Sequence, residues 1–160
     1  MKVLVLGNGG REHALVWKLR QSARVSKVYC APGNGGIGDE AECLPVDLSS
    51  LASMVALGER IRPDLTVVGP ELALTLGVVD EFTRRGWPVF GPTKAAAQLE
   101  WSKGFAKEFL QRHRIPTAAY AICDSVEEVR AALPHFHLPV VVKADGLAAG
   151  KGVVIAASKE

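Results

Sequence analysis

The sequence predicts an α/β fold: a Rossmann-like doubly wound parallel sheet over residues 1 to about 93, followed by the beginning of a second unit. Two observations lead there. Short continuous apolar runs alternate with stretches of helical periodicity, and from Thr93 or Lys94 onward two helical stretches follow one another with no strand between them.

Val3–Leu6 is an apolar run ended by glycines and reads as a strand; Glu12–Leu19 then places Ala14, Leu15 and Leu19 near one helical face. Lys27–Cys30 is a second strand, Ser49–Arg62 a helix with Leu51, Met54, Val55 and Ile61 spaced for burial, and Leu65–Val68 a third strand. Gly77–Arg85 is helical and Pro88–Phe90 a short strand. Strands apolar on both faces, alternating with amphipathic helices, imply a parallel sheet covered on both sides.

In the second unit, helices are expected at Lys94–Glu100 and Ser102–His113, the latter turning Phe105, Phe109 and Leu110 to the core and Lys107 to solvent. Ala118–Ile122 reads as a strand after Pro116. Ser125 and Glu128 form a capping box for a helix through Leu133, which Pro134 ends. Val140–Lys143 and Val153–Ala156 read as strands around a glycine and alanine loop, Asp145–Gly152. There is no internal repeat and no low-complexity linker.

The 160 residues are 48% apolar, enough for a sizeable core, and a net charge of +2 without a basic stripe argues against a nucleic-acid partner. Cys30, Cys43 and Cys123 are odd in number, far apart and match no metal spacing, which fits a reducing cytoplasm. The apolar run after Met1-Lys2 stops at Gly7, short of a signal segment or membrane span. Of the four histidines, only His13 falls near a candidate site, and none forms a nucleophile or metal arrangement.

Gly7-Asn8-Gly9-Gly10-Arg11-Glu12 follows a strand and opens a helix, where backbone N–H groups favour a phosphate or carboxylate; the same glycines also suit a plain tight turn. A dinucleotide fingerprint fails here, because it needs glycine where Glu12 stands and an acid after the second strand, where Cys30 leads into Ala31-Pro32-Gly33-Asn34. Arg11 can meet a phosphate or pair with Glu12 or another acid. Pro32–Gly36 and Gly69-Pro70-Glu71 also follow strands and belong to the carboxyl edge where open α/β sheets bind ligands. Glu71 can accept hydrogen bonds from sugar hydroxyls or an amine, or be a solvated acid beside a proline.

Gly146-Leu147-Ala148-Ala149-Gly150-Lys151-Gly152 misses the P-loop pattern, with three residues between its glycines and Gly152 where a Ser or Thr would hold Mg²⁺. A strand, not a helix, follows it. Such a turn can instead fold over phosphates, its small residues allowing close backbone approach and Lys151 adding charge. Lys143, among apolar neighbours, calls for an anionic partner, either a phosphate or an acid such as Asp145.

With these segments assembled, the chain resembles the phosphoribosylamine–glycine ligase (glycinamide ribonucleotide synthetase) family of the ATP-grasp superfamily. The likeness rests on GNGGREHAL at 7–15, APGNGG at 31–36, VGPE at 68–71, GVVD at 77–80, FGPT at 90–93, AAQLE at 96–100, SK at 102–103, IPTA at 115–118 and KADGLAAGKGV at 143–153. It implies a pre-ATP-grasp substrate domain at 1–100 and an incomplete ATP-grasp unit at 101–160. The implied substrate residues are Gly7, Asn8, Gly9, Gly10, Arg11, Glu12, Pro32, Gly33, Asn34, Gly69, Pro70 and Glu71. Lys103, Lys143, Asp145, Gly146, Leu147, Ala148, Ala149, Gly150, Lys151 and Gly152 are the implied ATP contacts.

The implied reaction joins glycine to 5-phosphoribosylamine through a glycyl phosphate, consuming ATP with Mg²⁺, in the purine synthesis of the cytoplasm, by a monomer with no nucleic-acid or membrane partner. The implied metal carboxylates lie downstream, so no metal ligand is assigned and the chain is expected to be an inactive fragment. Three residues depart from the family pattern: Gly104, where alanine is common, should weaken its helix; Trp101 replaces a small residue; Ala73 replaces a proline and should loosen its loop. The rival readings are another purine-pathway ATP-grasp ligase or carboxylase, a nicotinamide-dependent oxidoreductase, and a non-catalytic nucleotide-binding module.

Overall fold

Val3, Leu4, Val5 and Leu6 are wholly buried, as a strand covered on both faces must be. They form β1 (Lys2–Gly7), the middle strand of a five-stranded sheet. The computed structural model describes residues 1–148 and 151–158, and the chain divides into two compact units, Met1–Ala97 and Gln98–Glu160.

In the first unit, β1 is followed by α1 (Gly10–Arg20), β2 (Lys27–Pro32), α2 (Gly35–Gly38), β3 (Glu42–Cys43), α3 (Leu51–Ile61) and β4 (Leu65–Val68). Next come α4 (Glu71–Thr75), α5 (Val78–Arg84) and β5 (Val89–Phe90). The strand order is β3-β2-β1-β4-β5, every neighbouring pair parallel. The chain winds outward from β1 in one direction, then crosses back over it to β4, so the order reverses between β1 and β4. That reversal is the doubly wound topology expected from the alternation of elements.

On one face Val3 and Val5 pack with Val16 of α1, Val28 and Cys30 of β2, Ile37 of α2 and Val67 of β4. Leu4 and Leu6 point the other way by strand alternation, and Met54 and Leu57 of α3 with Val78, Val79 and Phe82 of α5 are buried as well. Val16 anchors α1, and Ala14, expected on the buried face, is exposed. Three short elements lie where loops were expected. α2 is glycine-rich and held by Asn34, whose Oδ1 accepts the Ile37 N–H at 2.9 Å; β3 is two residues long. Ala73 is fully buried inside α4, so the site of the missing proline is a packed helical turn, not a looser loop.

The second unit contains the end of α6 (Lys94–Trp101), α7 (Lys103–Arg112), α8 (Val126–Ala132), a 3₁₀ turn (Leu133–His135), β6 (Val140–Lys143) and β7 (Val153–Ala156). β6 and β7 pair antiparallel, with Lys143 opposite Val153. Pro134 lies within the 3₁₀ turn that continues from α8. No strand forms at 118–122. The segment instead meets side chains of α7: Lys107 Nζ donates to Thr117 Oγ1 at 2.6 Å and the Ala118 carbonyl at 3.1 Å, and Tyr120 donates its hydroxyl to Gln111 at 2.5 Å. Lys107 is therefore a tether, not a solvated cation, and Phe105, Phe109 and Leu110 are only half-buried. At Gly104 an added Cβ would find its nearest neighbours at 3.5 Å, so that glycine weakens α7 without a steric need for it.

Glu81 of α5 binds Arg84 (Oε1 to Nη2, 2.7 Å) and Arg85 (Oε1 to Nε, 2.6 Å), and hydrogen bonds first from Arg84, then from Arg85, lower its carboxyl pKa from 4.5 to about 2. A depressed carboxyl contributes stability that is whole above pH 4.5 and is lost as pH falls towards 2. In thermal unfolding followed against pH, Glu81→Gln should lose less stability than the parent between pH 4.5 and 2; parallel curves would refute the pairing.

Candidate functional site

The carboxyl ends of β1 and β4 flank the point where strand order reverses, the crevice in which open α/β sheets take ligands. Two loops expected to bind substrate leave from it, Gly7–Gly10 after β1 and Gly69–Glu71 after β4. Between them lies Glu12, 3% exposed. Its Oε2 accepts the N–H of Gly9, the residue that caps α1, at 2.8 Å, the backward half of a capping box. A Cβ on Gly7 or on Gly69 would collide with the Glu12 side chain. The residue that breaks the dinucleotide fingerprint thus fills the space that pattern keeps empty, and two glycines at the ends of neighbouring strands make room for it.

Arg11 is drawn to the same place. Its Nε donates to Glu12 Oε1 at 3.0 Å, and its Nη1 and Nη2 donate to the two oxygens of Glu71 at 3.1 and 3.4 Å. Hydrogen bonds from Glu71 and then Glu12 raise the guanidinium pKa further, and the Arg11 bond is the first reason that the Glu71 carboxyl sits below its ordinary value. Glu71 is therefore paired, not merely solvated, and Arg11 meets two acids. The exposed Arg11–Glu71 fork leaves a cation and an anion side by side at the crevice mouth, able to exchange partners with a phosphate and with an amine or hydroxyl.

The loop after β2 joins this edge. Pro32 stands opposite Gly7 in the ladder, Gly33 (φ +71°) donates its N–H to the Gly7 carbonyl at 3.1 Å, and Asn34 Nδ2 donates to the Asn8 carbonyl at 2.8 Å. Asn34 therefore has two duties, capping α2 and tying the second loop to the first. Pro70 caps α4 and Glu71 begins it. His13 turns away to Glu40 (Nε2 to Oε1, 3.3 Å).

In the second unit the loop after β6 is rooted at Asp145. Its carboxylate accepts the N–H groups of Lys103 at 2.5 Å and Gly104 at 3.3 Å and the Ser102 hydroxyl at 3.1 Å, while Ser102 itself caps α7 through the Phe105 N–H. Burial alone would push the Asp145 pKa up; the N–H groups of Gly104 and Lys103 and the Ser102 hydroxyl outweigh it and hold the carboxyl below its ordinary value. Lys103 Nζ donates to the Gly146 carbonyl at 2.8 Å. Asp145 is thus committed to α7, not to Lys143, and Lys143 is exposed at the end of its strand instead of buried among apolar neighbours.

Gly146 takes a left-handed φ of +91°, which favours glycine. Leu147 is half-exposed, Ala148 accepts the Lys151 N–H at 2.8 Å, and Gly152 accepts the Ala144 N–H at 2.8 Å. A Cβ on Gly152 would press on Ala148 and Ala144. Ala149 and Gly150 lie outside the described residues. Small residues and the exposed Lys143 and Lys151 make this turn compatible with a phosphate chain. Among the described residues no group of three or more His, Cys, Asp or Glu could hold a metal ion, and no helix is long and apolar enough to cross a membrane.

Residues 1–100 match the family model of the phosphoribosylglycinamide synthetase N domain, and residues 101–160 that of the ATP-grasp (A) domain of the same synthetase. The chain is 56% identical over 158 residues to a phosphoribosylamine–glycine ligase of Xanthomonas campestris, covering 98% of this chain and 37% of that one. It is 53% identical over 162 residues to the Pseudomonas putida ligase, covering 100% and 37%. The crystal structure of phosphoribosylamine–glycine ligase from Thermotoga maritima superposes with a TM-score of 0.79 at 35% identity, over 99% of this chain and 37% of that one. N5-carboxyaminoimidazole ribonucleotide synthetase from the same organism shares the fold alone, with a TM-score of 0.75 at 20% identity over 99% and 41%. The chain spans about 37% of the length of the curated relatives it matches.

Two outcomes follow from these two carboxylates. Gly69→Ala should destabilise the first unit by about 1–3 kcal/mol through collision with Glu12. In a Glu12→Ala background most of that cost should vanish, a coupling of about 1 kcal/mol or more in a double-mutant cycle of chemical unfolding; additive effects would overturn the packing account. Asp145→Ala should unfasten the loop from α7 and speed tryptic cleavage at Lys143 or Lys151 about tenfold, the equivalent of roughly 1.4 kcal/mol in local opening. An unchanged cleavage rate would show that Asp145 does not root the loop.

Proposed function

This chain belongs to the phosphoribosylglycinamide synthetase family, and we propose that it supplies the substrate-binding and nucleotide-covering front of a ligase that joins glycine to 5-phosphoribosylamine in purine synthesis. ATP would be consumed to ADP and phosphate through a glycyl phosphate. The observation that carries this reading is the likeness to ligases of that name along the whole chain, reaching 56% identity. The β1–β4 crevice supports it by offering a place where a sugar phosphate bearing an amine meets both a cation and an acid.

In this reading residues 1–100 are the substrate domain. The N–H group of Gly10 and the guanidinium of Arg11 face the phosphate, Glu71 accepts from the amine or ribose hydroxyls, and Asn8, Gly9, Pro32, Gly33 and Asn34 shape the rim. Glu12 holds the first loop and Arg11 in place from beneath. Residues 101–160 begin the ATP-grasp domain, with Lys103, Lys143 and Lys151 offsetting phosphate charge and the backbone at Asp145, Gly146 and Gly152 beside it. Bound ATP supplies the phosphoryl group that turns the glycine carboxylate into an acylating agent. Mg²⁺ would offset phosphate charge as well, but among the described residues no cluster of acids is formed to hold it.

The test is an assay of ADP release by a chain extended to the length of the relatives. Release should require both glycine and phosphoribosylamine, and release that ignores either would overturn the substrate assignment. In that enzyme Glu71→Gln should raise KM for phosphoribosylamine about tenfold, close to 1.4 kcal/mol, and leave KM for ATP unchanged. A shift in the ATP constant instead would move Glu71 to the nucleotide side.

A further inference from the structure

Cys30 and Cys43 are thirteen residues apart in sequence but face each other in the ladder of β2 and β3, as direct register partners. Neighbouring strands lie about 4.8 Å apart, inside the range of roughly 4.4–6.8 Å between the Cα atoms that a disulfide joins. Gly33 lies against both side chains: a Cβ there would collide with Cys43 Sγ and reach Cys30 Cβ at 3.7 Å. Both sulfurs also address the same pair of loops: Cys30 donates to the Gly7 carbonyl at 3.4 Å, and Cys43 to the Asn34 carbonyl at 3.8 Å. One thiol is buried and the other exposed.

We propose that Cys30 and Cys43 are a peroxide-responsive thiol pair that closes to a disulfide beneath the loops at the carboxyl edge of the sheet. Cys43 meets the oxidant, since it is exposed, whereas burial pushes the Cys30 thiol up to about 12 and leaves it protonated. The Cys43 thiolate attacks hydrogen peroxide; an S–O bond forms, the O–O bond breaks, and hydroxide leaves with a sulfenic acid behind it. The Cys30 sulfur then attacks the Cys43 sulfur. The S–S bond forms as the S–OH bond breaks, and the hydroxyl leaves with the Cys30 proton as water. Two thiols have lost two electrons to the peroxide, and a dithiol reductant reverses the step.

Closure takes the Cys30 S–H from the Gly7 carbonyl and the Cys43 S–H from the Asn34 carbonyl, so the device acts on the frame of both loops whatever ligand they hold. The test treats the chain, with Cys123→Ser to remove the third thiol, with hydrogen peroxide and maps the products by mass. Trypsin leaves both cysteines in one peptide, Val28–Arg60, so a glutamyl protease cutting at Glu40 and Glu42 is needed to separate them. The expected result is two linked peptides lacking two hydrogens, restored by dithiothreitol and absent in Cys43→Ser, a surface change that leaves the core intact. Oxygen added to Cys43 with Cys30 still open to alkylation after denaturation would overturn the proposal, as would links between chains only.

Discussion

A carboxylate buried where β1 and β4 part company governs the first unit. Glu12 lies on α1 yet occupies space that belongs to the sheet, which is why Gly7 and Gly69 are glycines and why α1 begins where it does, with Gly9 hydrogen-bonded to the Glu12 side chain. Leaving that N–H without its acceptor would cost about 1–3 kcal/mol, so strand, turn and helix are set together. The same carboxylate positions Arg11, and Arg11 in turn reaches Glu71 from the next loop. A single side chain connects the packing of the sheet to the charges at its rim.

The second unit solves a similar problem with Asp145. A helix N-terminus leaves N–H groups unsatisfied, and at α7 they are met by a side chain from the loop after β6 together with the Ser102 hydroxyl. The root of the glycine turn is thereby attached to a helix, and Lys103 adds a second attachment at Gly146. Both glycine-rich segments are thus fixed by acids that face inward to backbone donors, leaving lysine or arginine to face outward.

The sequence made four of the five strands of the parallel sheet legible, most clearly β1 and β4, which are apolar on both faces and whose runs end at glycines, but not the two-residue β3. It made the hairpin around 144–152 legible for the same reason. It misled at 118–122, whose apolar residues suit a strand but whose backbone meets α7 side chains, and at Ala73, where a missing proline suggested looseness in what is a buried helical turn. Glu12 was visible only as a departure from a pattern; its burial depends on Gly69, fifty-seven residues away, and no local signal encodes that. Asp145 reads as a loop acid until α7 is placed beside it. The likeness of Cys30 and Cys43 to isolated thiols dissolves once β2 and β3 are paired. Local periodicity found the elements, and what escaped it was decided by residues brought together across the fold.

The ladder of the hairpin closes at the bond between Ala144 and Gly152. Seven residues separate those two, so the chain can run outward for no more than about four before it must return, a span of roughly 13 Å at full extension. With Asp145 fastened to α7, a segment so short and tied at both ends cannot reach a distant surface. Whatever it covers must be brought to it.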